Sequence, residues 1–336
     1  MVDLLLRTFA GSAVALTLLF IVNNVLTYWW GWPGTGAFLG QFGWFGFEAP
    51  DEPLAGARYL MGALQVLSYP ALVLLVAAAV WLTRHRTMQS DAELLTGFAA
   101  YIVRAAFWIV VIVGLVDMLI SFLRIEDLLS PFLSDQLISD LGRPNYRGHY
   151  VHYPLMVLAL IIAFFVRSVS FSWLALLVVL AEVQIVLSRF VFSYEQAFMG
   201  DLVRFWYAAL FLFASAHALV NEAHVRVDVL YVHFSKRGKA WANALGCVLL
   251  GMPLCWVILG TGMAGKGSSI NSPLLSFEIS QSGFGMYVKY LMAGFLVVFA
   301  VSMVIQFASY FLNSVAVLRG EPGAADEPGE SAPSPH

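Results

Sequence analysis

Long apolar runs separated by short polar breaks dominate the chain. Eight of them are long enough to cross a bilayer: 8–30, 57–83, 97–123, 151–167, 172–192, 203–221, 240–262 and 286–312. A helix of about 20 apolar residues spans the hydrocarbon core, where lipid offers no partner to an exposed peptide group. None of the runs shows the ten-residue alternation of a membrane β-strand. The pattern predicts an all-α, polytopic helical membrane protein with about eight transmembrane helices. The first run follows Arg7 and ends in Tyr28, Trp29, Trp30 and Trp32, an interfacial aromatic belt with no small-residue cleavage site, so it reads as an uncleaved anchor. Between 151 and 192 the only break is Arg167 with Ser168, Ser170 and Ser172. A single helix of that length would be about 63 Å long, twice the core thickness. A tight hairpin is expected instead, with Pro154 in the first turn of its first arm; a seven-span arrangement is the alternative.

Eight spans put both termini on one side. The basic turns Arg84-His85-Arg86 and Lys236-Arg237-Gly238-Lys239 share that side, which the positive-inside rule makes cytoplasmic. The opposite loops are longer. Residues 31–56 are rich in Gly and aromatics, 124–150 carry leucines at helical spacing suited to a short interfacial helix, and 263–285 are polar and flexible in character. The tail from Arg319 is Pro, Gly, Ser and acid, a composition that predicts disorder.

Composition sharpens this picture. The chain is 60% hydrophobic and 12% charged, against nearly half and a quarter in soluble domains, which excludes an ordinary cytosolic enzyme. A net charge of −3, with Glu321, Asp326, Glu327 and Glu330 all in the tail, gives no basic surface for nucleic acid. Cys247 and Cys255 are about 12 Å apart on a helix, too far for a disulfide.

Ionisable residues at membrane depth are the chemical candidates. They are Arg104, Asp117, Glu182 and His217, with Lys289 near a span end. Glu182 is the deepest acid. It reads either as a cation or proton site or as an interhelical partner for a buried Arg, His or Gln. Asp117 lies toward the outer third of its span, where water is expected to reach it, and reads as structural. Arg104 is close enough to the inner edge to snorkel. His217 and His224 are seven apart on one helix face, the geometry of a haem ligand facing another helix, or of a hydrogen-bonded core imidazole. His149 and His152 stand at a span edge. No GxSxG, HExxH or P-loop is present. Only the seventh run looks broken, at Gly251-Met252-Pro253, so the paired broken spans of a self-sufficient transporter are not expected. The sixth run carries Ala208, Ala209, Ala214, Ser215, Ala216 and Ala218, suited to close helix packing within the chain or against a partner.

From 189 to 232 these features fall into a recognisable order. Arg189-Phe190-Val191-Phe192 closes a span, and Glu195 and Asp201 follow. A helix then opens with Arg204-Phe205-Trp206, and Asn221-Glu222-Ala223-His224-Val225-Arg226-Val227-Asp228 ends it ahead of the basic turn and two more spans. Over roughly 155–315 this resembles the small membrane subunit, DctQ-like, of tripartite ATP-independent periplasmic (TRAP) transporters. The resemblance implies a helical core at 151–318 and a disordered cytoplasmic tail at 319–336. Residues 1–150 become an N-terminal extension with three spans and two periplasmic loops. It also implies a non-catalytic scaffold in the bacterial inner membrane, partnered by a large membrane subunit, a periplasmic substrate-binding protein and membrane phospholipids. No cofactor is implied, and sodium belongs to the large subunit. Trp206, His224, Arg226, Asp228, Lys236, Arg237 and Lys239 become candidates for subunit or lipid contact, Asp228 as the residue that fixes the cytoplasmic turn. The family pattern often has a basic residue shortly before the His, where Val220-Asn221-Glu222 stand here. Two other readings compete: a stand-alone secondary transporter or channel using Glu182 and Asp117, and a haem-bearing membrane anchor using His217.

Overall fold

A computed structural model describes residues 1–167, 171–220, 231–280 and 285–321. Among these residues there is no strand. The helices are α1 (Val2–Tyr28), α2 (Gly34–Gly40), α3 (Gly56–Leu82), α4 (Met88–Ile125), α5 (Asp135–Leu141), α6 (Pro144–Arg147), α7 (Tyr153–Phe165), α8 (Phe171–Phe192), α9 (Ala197–Val220), α10 (Lys236–Gly246), α11 (Met252–Gly262), α12 (Asn271–Ser276) and α13 (Lys289–Arg319). Eight helical stretches are long and apolar enough to cross a membrane. They include the separate arms Pro144–Phe165 and Ser172–Phe192, in keeping with the hairpin and against the seven-span alternative.

Several spans run past the expected ends, and the largest shifts at a start are in the third and fourth. α4 starts at Met88, nine residues before the expected 97, because its polar first turns are held from outside: Glu321 Oε2 accepts the Met88 N–H at 3.1 Å and Asp91 pairs with Arg7 at 2.7 Å. A carboxylate on the free N–H groups of a helix start is the favourable arrangement there. The fourth span starts at Pro144 and not at 151, so Pro154 lies inside a continuous helical stretch.

Two of the three spans with an internal proline use the same device, whereas Pro70 sits inside the unbroken α3. π-helical turns occupy Gly148–His152 and Cys247–Gly251, each two residues before a proline, Pro154 or Pro253. Proline has no N–H and crowds the carbonyl four residues back. The wider turn accommodates that, with Tyr153 N–H bonding the Gly148 carbonyl and Met252 N–H bonding that of Cys247. The expectation of one broken span is therefore corrected to two.

The chain forms two compact units, each drawing residues from both sides of position 150. The first comprises Met1–Gly97, Asn221–Val257 and Met303–His336. Here Gln65, almost fully buried, ties α1, α2 and α3 together: its Oε1 accepts Gly34 N–H at 2.9 Å and its Nε2 donates to Thr27 Oγ1 at 3.0 Å. Arg7, inside α1 and buried, donates to Asp91 and to the Thr83 carbonyl at 3.1 Å. Arg319 pairs with Asp3 at 2.8 Å, so positions 319–321 are held in place. The disorder expected for the tail otherwise concerns 322–336, outside the described residues.

The second unit comprises Phe98–Val220 and Ile258–Ser302. α8 lies against α9 by a narrow stripe marked by Leu174 and Ala181. Phe295 stacks between Phe205 and Phe213 at 5.1 and 5.0 Å. The 263–285 loop, expected to be flexible, is ordered where it is described. Asn271 is fully buried and its Nδ2 donates to the carbonyls of Met263 and Gly265, both at 3.1 Å.

Candidate functional site

The second unit buries a cluster of ionisable side chains. Asp117 projects from α4, Arg147 ends α6, and His152 closes the π turn; the side chains of all three are 0% exposed. Asp117 Oδ1 accepts from Arg147 Nη1 at 2.9 Å and from His152 Nε2 at 3.0 Å. Its Oδ2 accepts the Tyr287 N–H at 2.8 Å. Arg147 also donates to Ser121 Oγ and to the Leu141 carbonyl, both at 3.0 Å, and its guanidinium lies 4.0 Å over the Tyr287 ring. Only Arg147 Nη2 lacks a bond. A carboxylate can only accept, so His152 Nε2 carries the proton, and in the neutral ring Nδ1 accepts from the Tyr290 hydroxyl at 2.8 Å. Asp117 and Arg147 form a buried ion pair closed to water.

Aromatic packing seals it. Phe277 adopts a left-handed backbone, φ +49°, and its ring meets those of His149, Tyr153 and Tyr290 at 4.8, 5.9 and 5.1 Å. It also covers Gly148 so closely that a side chain there would overlap the ring.

Beside α9 lies an open cleft of about 710 Å³ lined by Glu195, Asp201, Arg204 and Lys289. Its charges are already matched. Asp201 accepts from Ser280 Oγ at 2.9 Å and Met286 N–H at 3.0 Å and lies 3.4 Å from Arg204. Lys289 pairs with Glu278 at 2.6 Å and Glu195 with Arg189 at 3.4 Å.

The residues singled out in the sequence separate into distinct groups. Asp117 is not water-accessible as expected; Arg147 and His152, overlooked or placed at a span edge, enclose it. The signal was available, because an acid inside an apolar span demands a partner and the 124–150 loop that follows the span carries Arg147. Trp206 does not face lipid or a partner: it is buried, with Nε1 donating to the Val110 carbonyl at 3.3 Å. Arg104 Nε is buried and unbonded in α4. Glu182 is exposed and makes no hydrogen bond or ion pair with a described residue. Lys236, Arg237 and Lys239 start α10 behind the Ser235 cap, with the Lys239 ammonium 5.5 Å from the Tyr231 ring. His224, Arg226 and Asp228 lie outside the described residues, as does the His217 side chain. His152 offers no free ring nitrogen to a haem.

The architecture is that of a multi-pass helical membrane protein whose buried charges join its own helices to one another. Residues 175–316 match the family of tripartite ATP-independent periplasmic transporters, DctQ component. The match covers less than half of the chain, with residues 1–174 lying ahead of it, and the matched family is an inner-membrane TRAP component. That family functions with a large membrane subunit and a periplasmic binding protein. The match begins about a hairpin arm later than the resemblance had suggested, after the fourth span. No curated protein and no solved structure matches the chain.

The family boundary runs through the buried cluster. Asp117, Arg147 and His152 precede residue 175, while Phe277, Tyr287 and Tyr290 follow it. The N-terminal extension is therefore bonded into the DctQ segment within the second unit.

Proposed function

We propose that this chain is the small, non-transporting membrane component of a sodium-coupled TRAP importer. It braces the large, elevator-type membrane subunit during uptake of an organic acid or similar small solute delivered by a periplasmic binding protein. Both termini are cytoplasmic in this reading, and sodium is bound in the large subunit. Arg237 and its neighbouring lysines meet anionic lipid head groups, and His224, Arg226 and Asp228 fix the cytoplasmic turn after α9.

The observation that carries this reading is the state of Asp117. A carboxylate on an ion path must exchange its ligands with water and cargo. Asp117 instead has two N–H donors on one oxygen and a backbone N–H on the other, all supplied by its own chain. That is how a rigid joint is built. The test is reconstitution in proteoliposomes with an imposed sodium gradient. Uptake requires the large subunit, the binding protein and this chain together. Sodium-driven uptake by this chain alone would overturn the proposal.

A further inference from the structure

Glu182 sits eleven residues after Phe171 and ten before Phe192, the ends of α8. At 1.5 Å per residue it is about 16 Å from either end, at the middle of the hydrocarbon layer. From there a glutamate side chain cannot reach the head groups. Val179 and Val186, one turn away on either side, are exposed with it, as are Leu176 and Leu187. The inward stripe of α8 is marked by Leu174 and Ala181, leaving Glu182 on the uncovered side without a bond to any described residue. An unpaired acid at mid-depth is costly, so such residues face a protein interior and find a partner. The described residues supply none.

We infer that the exposed face of α8 is a docking surface for a transmembrane helix of the large TRAP subunit, and that a basic side chain on that helix pairs with Glu182. Charge complementarity selects this occupant. Lipid tails offer nothing to a carboxylate. A second copy meeting this face through a two-fold axis would set Glu182 against its own equivalent, adding like charges. The inference rests on the function proposed above, which supplies the large subunit.

The test is co-expression of the affinity-tagged full chain with its large membrane subunit, followed by detergent extraction and measurement of the large subunit recovered. Glu182→Leu and Glu182→Gln should each lower recovery at least tenfold, while the variant chain keeps the elution volume and thermal midpoint of wild type. A photocrosslinking residue at Val186 should capture the large subunit. Full recovery with both variants overturns the contact while leaving the scaffold reading intact. Full recovery with Gln but not Leu overturns the ion pair. A crosslink to a second copy overturns the choice of partner. If the wild-type chain recovers no large subunit, the scaffold reading fails as well.

Discussion

Removing the charge of Asp117 should be among the most damaging single changes in the second unit. In Asp117→Ala, Arg147 keeps Ser121 Oγ and the Leu141 carbonyl but loses its carboxylate partner while remaining 0% exposed. Stranding one member of a buried pair costs about 3–5 kcal/mol. In Arg147→Ala the carboxylate still holds the His152 and Tyr287 N–H bonds, so the cost falls at the lower end of that range. At roughly 2–4 °C per kcal/mol for a unit of this size, Asp117→Ala should lower the thermal midpoint by about 6–20 °C. Trp206 is buried in the same unit, so tryptophan fluorescence of detergent-purified protein reports its unfolding without an added label. The double alanine variant should be far less than additive, because the second truncation removes the stranded group. Replacing both by apolar residues of similar size, Asp117→Leu with Arg147→Met, should return the midpoint most of the way, since a well-packed apolar pair often equals a buried ion pair. A shift below 2 °C for Asp117→Ala, or additivity within about 0.5 kcal/mol, would refute the account.

Three further outcomes follow from local geometry. A Cβ on Gly114 would stand 2.8 Å from Trp206 Nε1, so Gly114→Ala should cost about 1–3 kcal/mol of unfolding free energy, and adding Trp206→Phe should recover part of it. Gly148→Ala drives a methyl group into the Phe277 ring, which three other rings confine; a loss of about 3 kcal/mol is expected, relieved by Phe277→Leu, and an unchanged midpoint would contradict the packing. Tyr194 lies in the α8–α9 turn, where burial and a 2.6 Å bond to the Glu126 carboxylate push its phenol from 10.0 up to about 12. The folded state favours the neutral hydroxyl, so any stabilisation it gives is complete below pH 10 and is lost as pH rises through about 12. Absorbance titration of Tyr194→Phe should lack one late-ionising phenol; an identical high-pH phase would sink the assignment.

The spans were legible because bilayer thickness imposes a single length on every apolar run. Their ends were less so. The Met88–Glu93 segment carries Gln89, Asp91 and Glu93 and reads as a loop, yet it is helical because Glu321 and Arg7 satisfy it from positions 233 and 84 residues distant. No local pattern encodes such pairings. Asp117 was visible as a buried charge but not as a closed one, since Arg147 and His152 look like loop and span-edge residues until the π turn at Gly148–His152 carries the helix back to Pro144. Glu182 shows the converse. Its depth could be read directly from α8, whereas its lack of a partner among the described residues required knowing which side of that helix the protein covers.

The two π turns bear on whether the chain has a path of its own. In transporters, broken helices expose half-helix ends and unpaired carbonyls to a cavity, and that is where ions bind. Both interruptions here keep their backbone bonded through the wider turn, and both are filled. Phe277 lies over Gly148 in one unit, and in the other a Cβ on Gly251 would stand 2.7 Å from the Phe307 ring. Phe277 and Phe307 both belong to the DctQ segment, while Gly148 belongs to the extension. An aromatic ring pressed against a glycine at a helix irregularity removes the space that a ligand would use and fixes the local bend, because overpacked interiors yield only at a cost. The irregularities thus serve shape, setting the angle at which the Pro154 and Pro253 spans leave their turns. That agrees with the bracing role proposed above, since an ion-binding break needs open space and free carbonyls at the bend.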